Sequence, residues 1–197
     1  MNTNNYHHGD VKNAIISAGI DIITEQGVQN LSIRNAAKRI GVSHTAPYRH
    51  FKNKEELLVA IAIKGFDILD QHIEKTLSND GSSDSSALED MGRAYIQFAV
   101  SNSNYYRIMF GDHIRNKTDF PEFFSAYDRS FRKLIQVIED SGSKHGSDKT
   151  DLEVTAVAVW SLLHGYCLLI MDNEKDKDVG SEGQIQLLLK KLNRLLQ

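Results

Sequence analysis

Apolar residues recur at helical spacing along most of the chain, and nowhere do they alternate with polar residues at the period of two that a half-buried strand needs. Val11, Ile15, Ala18 and Ile22 make one stripe, and Leu57, Leu58, Ile61, Ile63, Phe66, Leu69 and Ile73 make another. Only two prolines, Pro47 and Pro121, stand in the way of long helices. The pattern predicts an all-α fold. Asp10 is positioned to cap a first helix that Gly27 ends, and Ser32 to cap a short second one carrying Ile33, Ala36, Ala37 and Ile40. Gly41 supplies the left-handed residue of a sharp turn with Val42 in its core. Ser43 then caps a third helix from His44 to about His50, and Asn53 a fourth reaching about Leu77, with Glu55 and Glu56 complementing its dipole. Residues 78–86, SNDGSSDSS, read as a flexible loop. Helical patterns resume over residues 87–101, 105–110, 121–140, 151–171 and 183–196.

Charge divides the chain unevenly. The formal net charge is −3, yet no Asp or Glu occurs from Gln26 to Lys54, where Arg34, Lys38, Arg39, Arg49, Lys52 and Lys54 fall. Residues 1–56 hold seven Lys/Arg against five Asp/Glu, which leaves sixteen against twenty-one for the remainder. A basic head on an acidic body is the electrostatic footprint of a nucleic-acid-binding module joined to something else. The expected division is a DNA-binding domain over 1–56 and a second helical domain over 57–197. The single cysteine, Cys167, excludes an internal disulfide and suits a reducing compartment. No apolar run reaches the length of a membrane span and the first ten residues are polar, so a cytoplasmic protein without a membrane partner is expected.

Two short helices joined through a glycine cross steeply and present the second to the major groove, the arrangement of a helix-turn-helix. Thr45 offers a hydroxyl and a methyl to base edges, and His44 and Arg49 offer donors. Tyr48, His50, Lys52 and Lys54 suit phosphates. Ser32 and Ser43, at the two helix starts, complete the candidate set with Arg34. The run LSIRNAAKRIGVSHTAPYRHFKNKEELL, Leu31 to Leu58, resembles the DNA-binding domain of the TetR (tetracycline repressor) family. So does the opening Tyr6-His7-His8-Gly9-Asp10. The resemblance implies an N-terminal three-helix helix-turn-helix domain with DNA contacts from Arg34, His44, Thr45, Tyr48, His50 and Lys54. Pro47 departs from the leucine-like residue commoner at that place.

The body is less specific. Tyr106, Phe110, Phe124, Tyr127, Trp160 and His164 supply aromatic faces and one tunable ring, and Trp160, His164, Cys167 and Met171 share a helical stripe. They are candidate lining for a mostly apolar or aromatic small molecule, with ordinary core packing as the alternative. Met109-Phe110-Gly111 and Trp160-Ser161-Leu162-Leu163-His164-Gly165 resemble the C-terminal domain of one TetR branch marked by a Trp…His-Gly motif, which implies ligand binding there. Ile185, Leu188, Leu189, Leu192, Leu195 and Leu196, with Leu187 alongside, form a broad apolar face that fits either ordinary core packing or a pairing surface. The family resemblance implies that the last two helices pair with a second copy, giving a homodimer that reads two operator half-sites as a repressor released by its ligand. No catalytic arrangement, phosphate loop, metal-ligand spacing or cofactor motif is visible, so an enzyme is not expected. A helical adaptor that uses its basic head only for solubility fits the same composition, and a DNA-shift assay across salt concentrations separates the two.

Overall fold

The computed structural model describes residues 8–78, 86–141, 149–172 and 180–195. Most of the predicted loop, residues 79–85, lies outside them, as do Tyr6, His7 and Leu196. Among the described residues there are eight α-helices, three short 3-10 helices and no strand. They are α1 (His8–Gln26), α2 (Ile33–Arg39), α3 (Lys54–Ser78), α4 (Ala87–Ser101), α5 (Ser103–Phe110), α6 (Pro121–Asp140), α7 (Lys149–Asp172) and α8 (Glu182–Leu195). The all-α expectation holds.

The chain gathers into two compact units, neither continuous in sequence. The first takes residues 1–65 and 104–124; the second takes 66–103 and 125–197. The expected division at residue 56 follows the sequence alone, whereas α5 and the start of α6 group with the N-terminal helices. One reason lies on α3. At Gly65 an added Cβ would stand 2.5 Å from Met109 Sδ, so glycine lets α5 lie directly on that helix. Glu55 fastens the chain beyond α5, its Oε1 accepting the backbone N–H groups of Arg115 at 2.8 Å and Asn116 at 3.2 Å.

In the first unit, α1 and α2 bury Ile15, Ala18, Ile22, Ile33, Ala36 and Ala37. Several predicted caps are present. Gly27 ends α1 at φ +84°, Gly41 turns at φ +71°, and Ser32 Oγ accepts from Asn35 N at 3.0 Å. Asn53 Oδ1 accepts from Glu56 N at 2.9 Å, and Glu56 Oε2 accepts from Lys52 N at 2.7 Å. Asp10 is not a cap, because α1 begins two residues earlier at His8.

In the second unit α4 packs against both α7 and α8. Gly92 permits the close approach: a Cβ there would lie 2.5 Å from Leu189 Cδ2 and 3.5 Å from Leu163 Cδ2. Arg93 pairs with Glu182, and Asn193 Nδ2 donates to Glu89 Oε1 at 3.1 Å across the same junction. The broad leucine face of α8 is therefore largely an internal surface. Of its described side chains, Ile185, Leu189 and Leu192 are buried, Leu188 is half-buried and Leu187 is exposed. Periodicity reveals that a face is covered, not what covers it.

Among the described residues, most of the exposed large aliphatic side chains are on α7. Leu152, Ala156, Val159 and Leu163 are buried, while Val154, Val157, Leu162, Leu168 and Leu169 on other sides are exposed, Val154 at 63% and Leu169 at 57%. This corrects the reading that no stretch reaches the length of a span. By length and composition α7 is long and apolar enough to cross a membrane, with a mean hydropathy of 1.8 in its 18-residue window. It is apolar nearly all round because one face packs in the core and another is bare.

Candidate DNA interface and effector site

The segment predicted as a third α-helix is a four-residue 3-10 helix, Ala46–Arg49, with Thr45 at its N-cap position and no side-chain cap. Proline is the cause. In an α-helix the Ser43 carbonyl would accept from residue 47, but Pro47 has no N–H, and the carbonyl takes the Ala46 N–H at 3.1 Å instead. Ser43 contributes that carbonyl rather than a side-chain cap, and its Oγ lies 3.3 Å from Thr45 Oγ1. Pro47 and Phe51, one helical turn apart, are buried beneath. Ser43, His44, Thr45, Tyr48, Arg49 and Lys52 are exposed above them, Tyr48 at 54%. His50 is half-buried, tilted against Phe51 at 6.5 Å between ring centroids, and Val42 is half-buried rather than packed inside. Arg34 lies exposed on α2. Most of the candidate DNA-binding residues are thus exposed, on α2 and on the acid-free segment that follows it.

Two of the cations also have partners within the chain. Arg39 makes a two-pronged pair with Glu25, Nη1 to Oε2 being 2.7 Å, and lies 3.8 Å from Asp21, so its charge is largely answered within the unit. Lys54 Nζ donates to the Val28 carbonyl at 2.6 Å, and partial burial pushes its pKa down. It ties the start of α3 to the α1–α2 connection, a structural task that its spacing did not announce.

The six candidate effector residues fall in two places. Tyr106 is fully buried in the first unit with Phe110 at 4.8 Å between centroids, and Phe124, in the same unit, is 43% exposed. Tyr127, Trp160 and His164 come together in the second unit. Tyr127 meets the indole edge-on at 6.2 Å, and the His164 ring stacks on it at 5.1 Å with 25° between planes. Tyr95 completes this group and was missed. Its hydroxyl lies 3.2 Å from Trp160 Nε1 and 3.5 Å from His164 Nδ1. In the sequence it is one of many aromatics, and only the packing of α4 on α7 singles it out. Burial lowers the His164 pKa from the ordinary histidine value, favouring the neutral ring.

The same unit holds a buried carboxylate. Asp70, 5% exposed, accepts from Ser130 Oγ at 2.7 Å and Arg129 Nε at 2.8 Å. Asp67 and Glu74 on the same helix pair with Arg129 and Lys133, which joins the later half of α3 to α6 by a ladder of ion pairs.

Comparison with known proteins agrees with this architecture. Residues 15–61 match the family profile "Bacterial regulatory proteins, tetR family", and residues 88–185 match "Tetracyclin repressor-like, C-terminal domain". HTH-type transcriptional regulator YobS of Bacillus subtilis (strain 168) is 24% identical over 174 residues, 87% of this chain and 85% of that one. A protein of unknown function from Rhodococcus sp. RHA1 shares the fold at a TM-score of 0.78 and 22% identity, over 98% of this chain and 96% of that one. The SmeT–triclosan complex does so at a TM-score of 0.62 and 20% identity, over 94% and 90%. With both its helix-turn-helix and its C-terminal domain matched, the chain belongs to the TetR family of transcriptional regulators.

Proposed function

We propose that this protein is a repressor that binds a two-half-site operator as a homodimer and is released by a small, mostly apolar or aromatic molecule. The observation that carries the reading is the exposed surface from Ser43 to Lys52, which sits over buried Pro47 and Phe51 and contains no acid. Thr45, His44 and Arg49 serve base readout there, and Tyr48, His50, Lys52 and Arg34 serve the phosphates. Lys54 has its ammonium partly committed to Val28 and acts on DNA with its remaining protons. One four-residue helix makes too few contacts for operator affinity, and a second copy doubles them.

The exposed apolar side chains of α7, Val154, Val157 and Leu169, supply the dimer contact, and Leu187 is the exposed leucine that α8 adds in the scheme of a two-fold helical bundle. Tyr127, Trp160 and His164, with Tyr95 beside them in the second unit, serve as the effector site; Tyr106, Phe110 and Phe124 belong to the first unit and are left out of it. SmeT, seen with triclosan, is a neighbour of similar fold whose ligand is aromatic. Effector binding shifts α3, one unbroken helix that begins beside the DNA surface, and so changes the spacing of the two recognition segments. The protein acts in the cytoplasm and carries out no catalysis.

The test is selection of bound fragments from genomic DNA by the purified full chain. A motif of two related half-sites about one helical turn apart supports the reading. Retention of DNA without any motif, or with no steep salt dependence, refutes it.

A further inference from the structure

The chain between α5 and α6 is fastened at several points, all within the first unit. Ile114 is buried at 3% exposure, and the half-buried Glu55 accepts the backbone N–H groups of Arg115 and Asn116 through Oε1, at 2.8 Å and 3.2 Å. Lys117 Nζ donates to the Gly111 carbonyl at 2.9 Å, which closes the loop on itself, and stands 5.5 Å from the centre of the Phe123 ring. What this fastening presents is Arg115. Its side chain is exposed, and its guanidinium makes no hydrogen bond or ion pair among the described residues. Arg39, Arg93, Arg129 and Arg132 each hold a carboxylate. Arg34 and Arg49, two of the candidate DNA-binding residues, share with Arg115 the absence of such a partner among the described residues.

The anchor fixes where that cation stands. Glu55 follows Lys54 in the first turn of α3 and comes three residues after Lys52, so the Arg115 backbone is tied to the place where the acid-free segment ends. Asp112 and Asp119 flank Arg115 in sequence, yet among the described residues neither pairs with it. Glu55 is the acid its backbone touches, and the two N–H groups on Oε1 answer part of that charge.

We propose that Arg115 is an additional DNA contact, positioned by Glu55 so that its guanidinium meets a backbone phosphate beside the recognition segment, an inference that rests on the operator-binding reading. A guanidinium with no internal partner can take a phosphate in a two-pronged hydrogen bond, and a backbone fixed in advance lowers the ordering cost. Phosphates carry no sequence information, so the contact adds affinity and register but no base preference. Glu55 then acts against its own sign: its charge weakens attraction to a polyanion, while its hydrogen bonds place a cation there.

The test uses the full chain and the DNA duplex that it selects from genomic fragments, titrated across salt concentrations. Arg115→Ala alters an exposed side chain without partners, so the melting temperature should not move. Affinity is expected to fall about three- to tenfold, and the salt slope to drop by as much as in Lys52→Ala, with the selected motif unchanged. Arg115→Lys should keep the slope, because a phosphate still meets a cation. Undiminished affinity and slope in Arg115→Ala overturn the proposal, as does an altered motif with an unaltered slope. A wild type that selects no motif, or binds without steep salt dependence, overturns the operator-binding reading instead.

The role of Glu55 has a separate readout. Glu55→Gln keeps an acceptor oxygen for the two N–H groups and sheds the charge, so DNA binding should hold or tighten. Glu55→Ala sheds both and should weaken binding although an acid is gone, and on that background Arg115→Ala should cost less than about twofold. Tighter binding in Glu55→Ala, or an undiminished effect of Arg115→Ala there, would show that the carboxylate does not position the arginine.

Discussion

From Gly41 to Lys54 the exposed side chains are hydroxyls, an imidazole, cations, a phenol and an amide, whereas α7 exposes Val154, Val157, Leu162, Leu168 and Leu169. Both surfaces are uncovered in the single chain, and each rests on a well-buried underside: Pro47 and Phe51 in one case, Val159 and Leu163 in the other. Their chemistry asks for different partners. A wet, acid-free surface keeps its groups hydrated until a polyanion replaces the water, and its affinity is set by salt. A dry helical face gains only by losing water altogether, and its affinity is set by buried area. In this reading the same molecule needs both, because the second surface brings two copies of the first onto one DNA.

The strongest way to break the comparison is to charge α7. Val154→Asp with Leu169→Asp places two carboxylates on side chains already in solvent, so the helical content should survive. Light scattering should then report monomers, and operator affinity should fall on the order of a hundredfold or more as the avidity of two linked sites is lost. A folded dimer with unchanged affinity would mean that α7 is not the contact. Leu189→Asp is the contrasting variant, and it should unfold the chain instead, because Leu189 is fully buried against α4.

On the wet side, Thr45→Ala should alter base preference at one position per half-site by about 1–3 kcal/mol, read from selected sequences. Lys52→Ala should weaken all sequences alike and lower the salt slope by about one. An unchanged motif in Thr45→Ala would place the reading residues elsewhere on this surface.

A smaller effect separates Lys54 from its neighbours. Because its ammonium donates to the Val28 carbonyl, Lys54→Ala should cost about 1–2 kcal/mol of folding stability in chemical denaturation as well as affinity. Lys52→Ala, on an exposed side chain, should cost almost no stability.

The smallest expected effect is a pH dependence from the second unit. The folded pKa of His164 is depressed by burial, so the unfolded chain binds the proton more readily. Stability is therefore unaffected at higher pH and declines as pH falls from the ordinary histidine value toward the folded one. Melting temperatures of the wild type and His164→Gln should diverge only in that acidic window. Parallel curves there would show that the ring is not desolvated.

The helices were legible because each is written locally. Ser32, Asn53, Gly27 and Gly41 announce starts and stops through side-chain caps or left-handed backbone, and the structure realises all four. The character of the recognition segment was obscured by Pro47, whose effect falls on the carbonyl of Ser43 four residues back. What stayed hidden is pairing at long range. The leucines of α8 say that a face is buried, but that α4 covers it depends on Gly92, ninety-seven residues before Leu189. Tyr95 and His164 are likewise distant in sequence, and neither carries a motif that joins them. Among the cations, Arg39 and Lys54 count toward a basic run until Glu25 and the Val28 carbonyl are seen beside them.

Under the dimer proposal, the bare face of α7 also makes gene dosage a physical variable. A lone chain would carry valines and leucines in water until it met a second copy, and mass action would govern how long that lasts. Newly made chains at low abundance would be exposed to chaperones and proteases, while the same chains at higher abundance would be sheltered by pairing. Operator occupancy would then rise with more than the first power of the amount of protein synthesised. Well below saturation of the operator, a cell halving its output of this regulator would lose more than half of the occupancy, before any effector entered.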